Sequence, residues 1–582
     1  MATPDLKGVI APDTRGQNFF INDRTLQDLA RLYLDDALRE AIWPQLEELG
    51  YRAANDLDHH AMSANRHTPI LHQRDKYGRD SQWIEYHPSY HALEQAAFGD
   101  YGLHAMSHRP ILSNWKKVLP VFAKHLYTFL FNQAEFGLGC PINVTDSAAH
   151  VIRLFGDEAL KARFLPRMLS TNLPELWQGA QFITEQEGGS DVGQITTRAV
   201  LDQGEWRLFG DKWFCSNADA DVAMILARPE GATKGTRGLA LFAMPRTLDD
   251  GSPNHIRIVR LKDKLGTRSM ASGELRLEGA LAHLVGEQDA GLKQMLEMIN
   301  WSRLSNGVKS AALMRRAVHD ALTVSNQRVV FGQTLKDLPL ARRQLLKLRL
   351  ASEQSMSMWA FTANELDVLE TGGLGSNRAS SIARLATPVL KMRVTRDARQ
   401  VCGDAMEVRG GCGYVEDFVN PRLVRDAYLG SIWEGTSNII AIDAIRRAIS
   451  RDSCLSPYIA EFQERLDVVR SSIPSLAQEL GEWLEKTERE VAGAAERDEE
   501  SRFRSMVSAL YHVTSAVLMA WEGVLLEKQT GDASRLLWAR LALDHKVIEK
   551  GPLSPPPERP SLCDSLLRNE DVELSQARDL VR

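Results

Sequence analysis

The chain has 582 residues, 44% of them hydrophobic, and a formal net charge of −6. That much apolar side chain builds a large core, and at roughly 150 residues per domain the length allows about three or four domains. The negative balance excludes a global attraction for nucleic-acid phosphates and leaves only a local basic patch for such a partner. Six cysteines, Cys140, Cys215, Cys402, Cys412, Cys454 and Cys563, show no CxxC pair and no metal-ligand spacing, so the expectation is a reduced compartment and no metal. The N-terminal stretch has neither an apolar run behind a basic start nor an acid-poor Arg/Ser-rich helix, and no later stretch reaches about 18 apolar residues. A soluble, cytoplasmic protein without a membrane span is expected.

Residues 1–24 read as an irregular arm, after which Asn22 or Asp23 offers an N-cap to the apolar-periodic TLQDLARLYL. Helices dominate 25–178, with apolar residues three and four apart in SYHALEQAAFG, KVLPVFAKHLYTFLFNQAEFGLG and SAAHVIRLFG. The histidines there, His59, His60, His87, His91, His104 and His108, lack Cys or carboxylate partners at ligand spacing and read as ordinary surface or core side chains. Over 179–288 the period changes to two. ITTRAVL and WRLFGDKWF form a hairpin about Gln203-Gly204, and VAMILAR, GLALFAMPR, HIRIVRL and ELRLEG follow as short strands. Over 289–450 three long amphipathic segments and a fourth helix near 437–450 predict an up-and-down bundle. The remainder, 451–582, is a helical extension with 17 basic and 24 acidic side chains, broken at SPPPERP; its second, apolar helix is expected to dock on the bundle.

Three stretches carry chemistry. The run 181–192, QFITEQEGGSDV, sits between the helical and β regions. Backbone amides freed by Gly188 and Gly189, with the hydroxyls of Thr184 and Ser190, suit carbonyl oxygens, a pyrophosphate or a flavin edge, although such a turn alone is most often a plain loop. The hairpin end KWFCS places Trp213 near that loop as a stacking platform, against the ordinary reading of a core tryptophan. Residues 327–333, QRVVFGQ, read as a helix end with a cation and a Gly cap. The organising stretch is 402–445: a Gly-rich turn, a basic pair, and a short loop carrying one carboxylate, Glu434, between Trp433 and Gly435-Thr436-Ser437-Asn438. This loop is a plausible way to aim a base.

Taken together and in this order, ITEQEGGSDVG (183–193), DKWFCSN (211–217), DKLGTRS (263–269), NWSRLSNG (300–307), NQRVVFGQTL (326–335), AMEVRGGCGY (405–414) and SIWEGTSNI (431–439) resemble the acyl-CoA dehydrogenase superfamily. Within it the chain looks most like the subgroup of the bacterial alkylation-response protein AidB and its long-chain acyl-CoA dehydrogenase relatives. The carrying features are Glu-Gln-Glu before GGSD, the Lys-Trp-Phe-x-Ser hairpin, the Trp before Glu-Gly-Thr, the N-terminal arm and the helical extension. The resemblance implies an α+β, mostly α fold: an N-terminal helical domain, a central β domain, a C-terminal four-helix bundle and the extension.

It also implies FAD. Thr184, Gly189 and Ser190 would contact flavin or pantetheine, and Trp213, Phe214, Cys215 and Ser216 would lie along the flavin ring. Arg328 and Phe331 would reach the FAD of a neighbouring subunit, so that the site needs a homo-oligomer, by family expectation a tetramer. Gly410 and Gly411 would approach the adenosine end, and Thr436 and Asn438 would complete the cradle. Glu407, counted with the cofactor set, stands where many members carry Gln, and the Thr that many members place near Cys215 is missing, with Ser216 as its nearest hydroxyl. For the acyl-CoA substrate, Arg303 would help hold the CoA portion beside Ser190, Trp433 and Gly435. The implied reaction is α,β-dehydrogenation of an acyl thioester: Glu434 takes the α-proton, hydride leaves the β-carbon for flavin N5, and the FAD ribityl 2′-hydroxyl and the Glu434 amide hold the thioester oxygen. Trp433 would exclude water, and an electron-transfer flavoprotein would reoxidise the cofactor. The alternative is an AidB-like DNA-associated flavoprotein with weak or no dehydrogenase activity. The acidic extension weighs against DNA, although Arg315-Arg316, the segment 341–347 and Arg446-Arg447 are locally basic.

Overall fold

The computed structural model describes residues 11–372, 375–548, 557 and 559–581. The chain begins with α1 (Arg24–Tyr33), α2 (Asp36–Ala54) and α3 (Asp56–Arg66), then the hairpin β1 (Ile70–Arg74) and β2 (Asp80–Glu85). Helices α4 (Pro88–Glu94), α5 (Val121–Ala134), α6 (Gly139–Phe155) and α7 (Glu158–Met168) follow. Then come β3 (Gly179–Phe182), β4 (Arg198–Asp202), β5 (Glu205–Ser216), β6 (Val222–Pro229), β7 (Ala240–Pro245), β8 (Ile256–Leu261) and β9 (Ser272–Leu284). Three long helices follow, α8 (Gly291–Gln327), α9 (Pro339–Thr371) and α10 (Ser376–Arg409), with the small hairpin β10 (Val329–Val330) and β11 (Gln333–Thr334) between α8 and α9. The chain continues through α11 (Asn420–Gly430), α12 (Ser437–Ile442), α13 (Leu455–Ser472), α14 (Pro474–Glu496), α15 (Phe503–Thr530), α16 (Ser534–Ala542), α17 (Pro560–Arg568) and α18 (Leu574–Leu580). It divides into two compact units: one of residues up to Ala54, Val121–Gln133 and Asn306 onward, the other of Asn55–Pro120 and Ala134–Ser305.

The second unit is built around the β strands. Strand β7 pairs with both β6 and β9, so the path β6-β4-β5-β9-β7 closes on itself, with β3 parallel to β6 and β8 antiparallel to β9. Closure leaves few open edges, and the interior is filled by apolar side chains such as Ala199, Leu208, Ile225, Phe242 and Leu277. The β4–β5 turn falls on Gln203 and Gly204, both at positive φ (51° and 88°), with Asp202 opposite Glu205, the primed turn that the strand twist favours.

Two local expectations are corrected. Residues 70–85 form an antiparallel hairpin inside the stretch expected to be helical. Its turn is held by Asp75, whose carboxylate accepts the Tyr77 and Arg79 amides at 2.8 and 3.0 Å, while Gly78 takes φ +80°, so local turn chemistry overrides the helical surroundings. The QRVVFGQ run is also a hairpin rather than a capped helix end: Phe331 and Gly332 occupy its turn at φ 52° and 77°.

The first unit is helical. Asp23 caps α1, accepting the Leu26 amide at 3.1 Å. Helices α9 and α10 pack together, and α13, α15 and α16 pack on them. Among the described residues one helical stretch, Glu500–Thr530, is long and apolar enough to cross a membrane by length and composition, but 83% of its apolar window is buried inside the protein. It is a core helix of this unit, with Leu510, Val517 and Met519 inaccessible, and the extension docks as its apolar period requires. The SPPPERP break lies largely outside the described residues. A buried ionic chain ties the elements together: Arg315 bridges Asp23 (2.5 Å) and Glu353 (2.8 Å), and Arg535 bridges Glu353 (2.5 Å) and Glu522 (2.7 Å).

Candidate functional site

The expected site residues fall on both units, and each group is built from its own elements. On the barrel unit the loop 183–197 is anchored from below by Glu185. Its carboxylate accepts the Thr196 amide and hydroxyl at 2.6 and 2.7 Å and pairs with Lys212 Nζ at 2.6 Å, with side chains 1% and 0% exposed. Burial raises the carboxyl, but the Lys212 ammonium and the threonine donors outweigh it and hold Glu185 below its ordinary range. Lys212 also donates to the Leu226 carbonyl at 3.0 Å. The Glu185 amide donates to Gly188 O at 3.0 Å, and the Trp213 amide donates to Thr184 O at 2.8 Å. Thr184 and Trp213 are thereby brought together. A Cβ on Gly189 would meet only Thr184 Cγ2, at 3.8 Å, so that turn is open to an incoming group, and Ser190 beside it is exposed.

Strand β5 shifts register between Lys212 and Cys215. The bulge breaks the alternation, so the rings of both Trp213 and Phe214 lie against Lys262, whose Nζ stands 3.7 and 4.6 Å from their centroids. Phe214 is 55% exposed. Cys215 departs from the expectation: it is 0% exposed in the barrel core, where burial pushes its thiol up, because pairing opposite Gly273 turns it inward. Ser216 keeps a half-buried hydroxyl, 3.2 Å from Ser272 Oγ. Arg303 is buried on α8, donating to Asn300 Oδ1 at 3.2 Å.

On the helical unit Arg328 donates to the Arg409 carbonyl at 3.3 Å, at the turn where Gly410 takes φ +76°. A Cβ on Gly410 would stand 3.3 Å from Arg328 Nη1, and one on Gly411 would meet nothing. Phe331 at the hairpin tip is 92% exposed. Arg409 is fully buried and paired with Asp320, which holds the Gly-rich turn to α8. Glu407 is exposed, with Gln344 Nε2 at 3.4 Å.

The Glu434 loop joins α11 to α12. The Trp433 amide donates to Leu429 O at 3.2 Å, and Asn306 Nδ2 holds Gly430 O at 3.0 Å. Glu434, half-buried, sits at φ +56° and Gly435 at φ +98°, conformations that a residue with a Cβ adopts only under constraint. Lys391 on α10 supplies the constraint, donating to Trp433 O at 2.8 Å and to Gly435 O, and Lys309 on α8 lies 4.7 Å from the Trp433 ring centroid. Thr436 and Asn438 are exposed, with Arg504 Nη1 3.5 Å from Asn438 Oδ1.

Neither Lys391 nor the Glu185–Lys212 pair stands among the residues picked from sequence. Their signal is a charged side chain amid an apolar helical or strand pattern, as in ATPVLKMRV around Lys391. Of the locally basic segments, Arg315 is spent on the buried ionic chain, Arg342 pairs with Asp564, and Arg446 pairs with Asp498 and Glu500. Buried His104, expected to be an ordinary histidine, bonds the Ser170 carbonyl at 3.0 Å, and burial pushes it down to about 3.

Comparison with known proteins gives three family matches: the adaptive response protein AidB N-terminal domain over 10–173, the acyl-CoA dehydrogenase middle domain over 180–280, and the acyl-CoA dehydrogenase C-terminal domain over 289–450. Acyl-CoA dehydrogenase family member 11 of Caenorhabditis elegans is 31% identical over 533 residues, 88% of this chain and 84% of that protein. The putative acyl-CoA dehydrogenase AidB of Escherichia coli (strain K12) is 34% identical over 392 residues, 66% of this chain and 70% of that one. The crystal structure of Caenorhabditis elegans ACDH-11 in complex with C11-CoA superposes with a TM-score of 0.82 at 27% identity, covering 97% of this chain and 98% of that one. With its middle and C-terminal domains matched and an AidB-type N-terminal domain ahead of them, the chain belongs to the acyl-CoA dehydrogenase superfamily.

Proposed function

We propose that this chain is an FAD-dependent acyl-CoA dehydrogenase that converts a saturated acyl-CoA into the 2-enoyl-CoA with Glu434 as base. The observation that carries the reading is the Glu434 loop: a carboxylate held at positive φ by a buried ammonium and set between Trp433 and Gly435. Strain kept at one carboxylate by surrounding structure is characteristic of a functional position.

The residues present fit FAD. Phe214 and Phe331 leave aromatic rings in water at 55% and 92% exposure, flat surfaces suited to an isoalloxazine and an adenine. The open turns at Gly189 and Gly411 let a phosphate or ribose approach the backbone. Thr184, Gly189, Ser190, Trp213, Phe214 and Ser216 would hold the cofactor on the barrel unit. Arg328, Phe331, Glu407, Gly410, Gly411, Thr436 and Asn438 would do so on the helical unit, with Arg328 and Phe331 serving a neighbouring subunit of a homotetramer. FAD, when bound, supplies the acceptor for the two electrons that leave with the β-hydrogen.

The chain's own residues do the rest. Glu434 accepts the α-proton, and its backbone N–H donates to the thioester oxygen, where negative charge accumulates as that proton leaves. Trp433 keeps water from the carboxylate, and Arg303 helps hold the CoA portion. The likeness to a structure in complex with C11-CoA supports an acyl-CoA as substrate. Reoxidation falls to an electron-transfer flavoprotein.

The test is anaerobic mixing of FAD-loaded protein with saturated acyl-CoAs of increasing length, followed by flavin absorbance. Bleaching by one length class, abolished in Glu434→Gln with FAD still bound, is the expected result. Full flavin occupancy with no bleaching across the panel overturns the reading.

A further inference from the structure

Glu434 does not hold its own geometry. The carbonyls on either side of it, Trp433 O and Gly435 O, converge on the single ammonium of Lys391. Lys391 lies on α10, one turn beyond Pro388, and is 1% exposed. Burying an ammonium is unfavourable by several kcal/mol unless its donors are filled, and a loop needing only a fixed path could be closed by ordinary backbone bonds. The charge on Lys391 therefore asks for a reason beyond loop closure.

Peptide geometry supplies one. The peptide bonds here are trans, with no cis bond among the described residues, and in a trans peptide the N–H points opposite to the C=O. With Trp433 O committed to Lys391, the Glu434 N–H is directed away from α10. With Gly435 O committed as well, the Thr436 N–H is directed likewise. A flip of the 433–434 peptide would exchange donor for acceptor, putting a carbonyl dipole where a developing oxyanion needs an N–H. The positive φ of Glu434 (+56°) and Gly435 (+98°) makes such a flip a real alternative for this loop. Lys309, 2% exposed, steadies the same segment through the Trp433 ring.

We infer that Lys391 is a positioning residue for the dehydrogenation: it fixes the orientation of the 433–434 and 435–436 peptides, so that the base and its own amide are presented together. This inference rests on the dehydrogenase reading above. Lys391 touches neither substrate nor cofactor in this role. It acts through Trp433 O and Gly435 O, and no proton transfer is assigned to it.

The experiment compares wild type, Lys391→Met, which keeps the stem without a donor, and Lys391→Gln, which keeps a neutral donor, all as FAD-loaded protein. The limiting rate of flavin bleaching and the acyl-CoA dissociation constant are separated by varying acyl-CoA in anaerobic stopped flow, and amide hydrogen exchange is followed over 429–440. Expected is a fall of about 10²-fold in limiting rate for Lys391→Met, the size of losing one aligned oxyanion donor, with acyl-CoA affinity and FAD content unchanged, faster exchange over the loop, and a smaller loss for Lys391→Gln. An unchanged limiting rate overturns the inference. So does a loss that tracks weaker acyl-CoA binding and FAD release, which marks a merely structural lysine. Should Lys391→Met fail to fold, Lys391→Gln decides by the same split between rate and affinity. A wild-type protein that no acyl-CoA bleaches fells the dehydrogenase reading instead. The exchange arm then judges the clamp: unchanged protection in Lys391→Met refutes it, and lost protection retains it.

Discussion

Replacing Lys212 with Met probes what anchors the barrel-side loop. The Lys212–Glu185 contact is 2.6 Å between side chains 0% and 1% exposed; at an effective dielectric of about 20, Coulomb attraction at that separation is about 6 kcal/mol. Desolvation of both ions cancels part of this, and breaking one partner of a buried pair typically costs about 3–5 kcal/mol. Glu185 keeps the amides and hydroxyls of Thr196 and Thr197 after the substitution, which places Lys212→Met at the lower end, near 3 kcal/mol. For a unit of this size that lowers the melting transition by roughly 6–12 °C. The two units need not melt together, so the assay pairs differential scanning with amide exchange over 179–200 and at the Trp213 N–H, which is bonded to Thr184 O. If Thr184, Gly189 and Ser190 hold FAD as proposed, its retention should weaken in parallel. Glu185→Gln is the second arm, and the double variant should be less damaged than the two single losses added together by about 2 kcal/mol or more. A transition within a degree or two of wild type, or simple additivity of the single variants, would refute the view that this buried pair holds the loop.

On the helical unit, burial raises Glu353, but Arg315, Arg535 and Arg349 outweigh it and bring it from 4.5 down to about 2, and Asp23 is likewise held well below its ordinary value. Carboxyls depressed in the folded state contribute stability above their unfolded values and lose it as pH falls through the folded ones. Glu353→Gln should therefore cost about 3 kcal/mol near neutral pH, and its difference from wild type should shrink between about pH 4.5 and pH 2 in thermal scans; a difference constant across that window contradicts the assignment. Phe331→Ser removes a ring that is 92% exposed, so stability should change by less than about 0.5 kcal/mol. FAD retention and the oligomeric state by light scattering should nevertheless fall if Phe331 serves a neighbouring subunit, and an unchanged, fully loaded oligomer removes that role.

Local pattern carried much of this protein's architecture. The alternating strands, the Gln203-Gly204 turn, the Asp23 cap and the three long helices follow from periods, turn residues and capping chemistry confined to a few neighbouring positions. The same logic exposed Glu434 as a lone carboxylate in a Gly-rich loop. Where it misread, another local force prevailed: the Asp75 turn made a hairpin within helical surroundings, and Phe331-Gly332 turned a helix end into a hairpin. The bulge before Cys215, which sends that side chain inward and leaves Phe214 out, depends on pairing with β9, about sixty residues away, and no spacing within KWFCS encodes it.

The supports of the candidate site belong to tertiary structure alone. Lys391 and Gly435 are 44 residues apart and Lys212 and Glu185 are 27, and in the ionic chain of the helical unit Arg535 meets Glu353 across 182. A buried charge shows in sequence only as a polar letter in an apolar stretch, and which opposite charge or carbonyl it meets is decided when packing excludes water and leaves that group as its partner. The sequence by itself therefore determined most of the elements and marked Glu434 as the candidate carboxylate. Packing decided which buried charges hold the Glu434 loop, in which Glu434 takes a positive φ that a side chain disfavours.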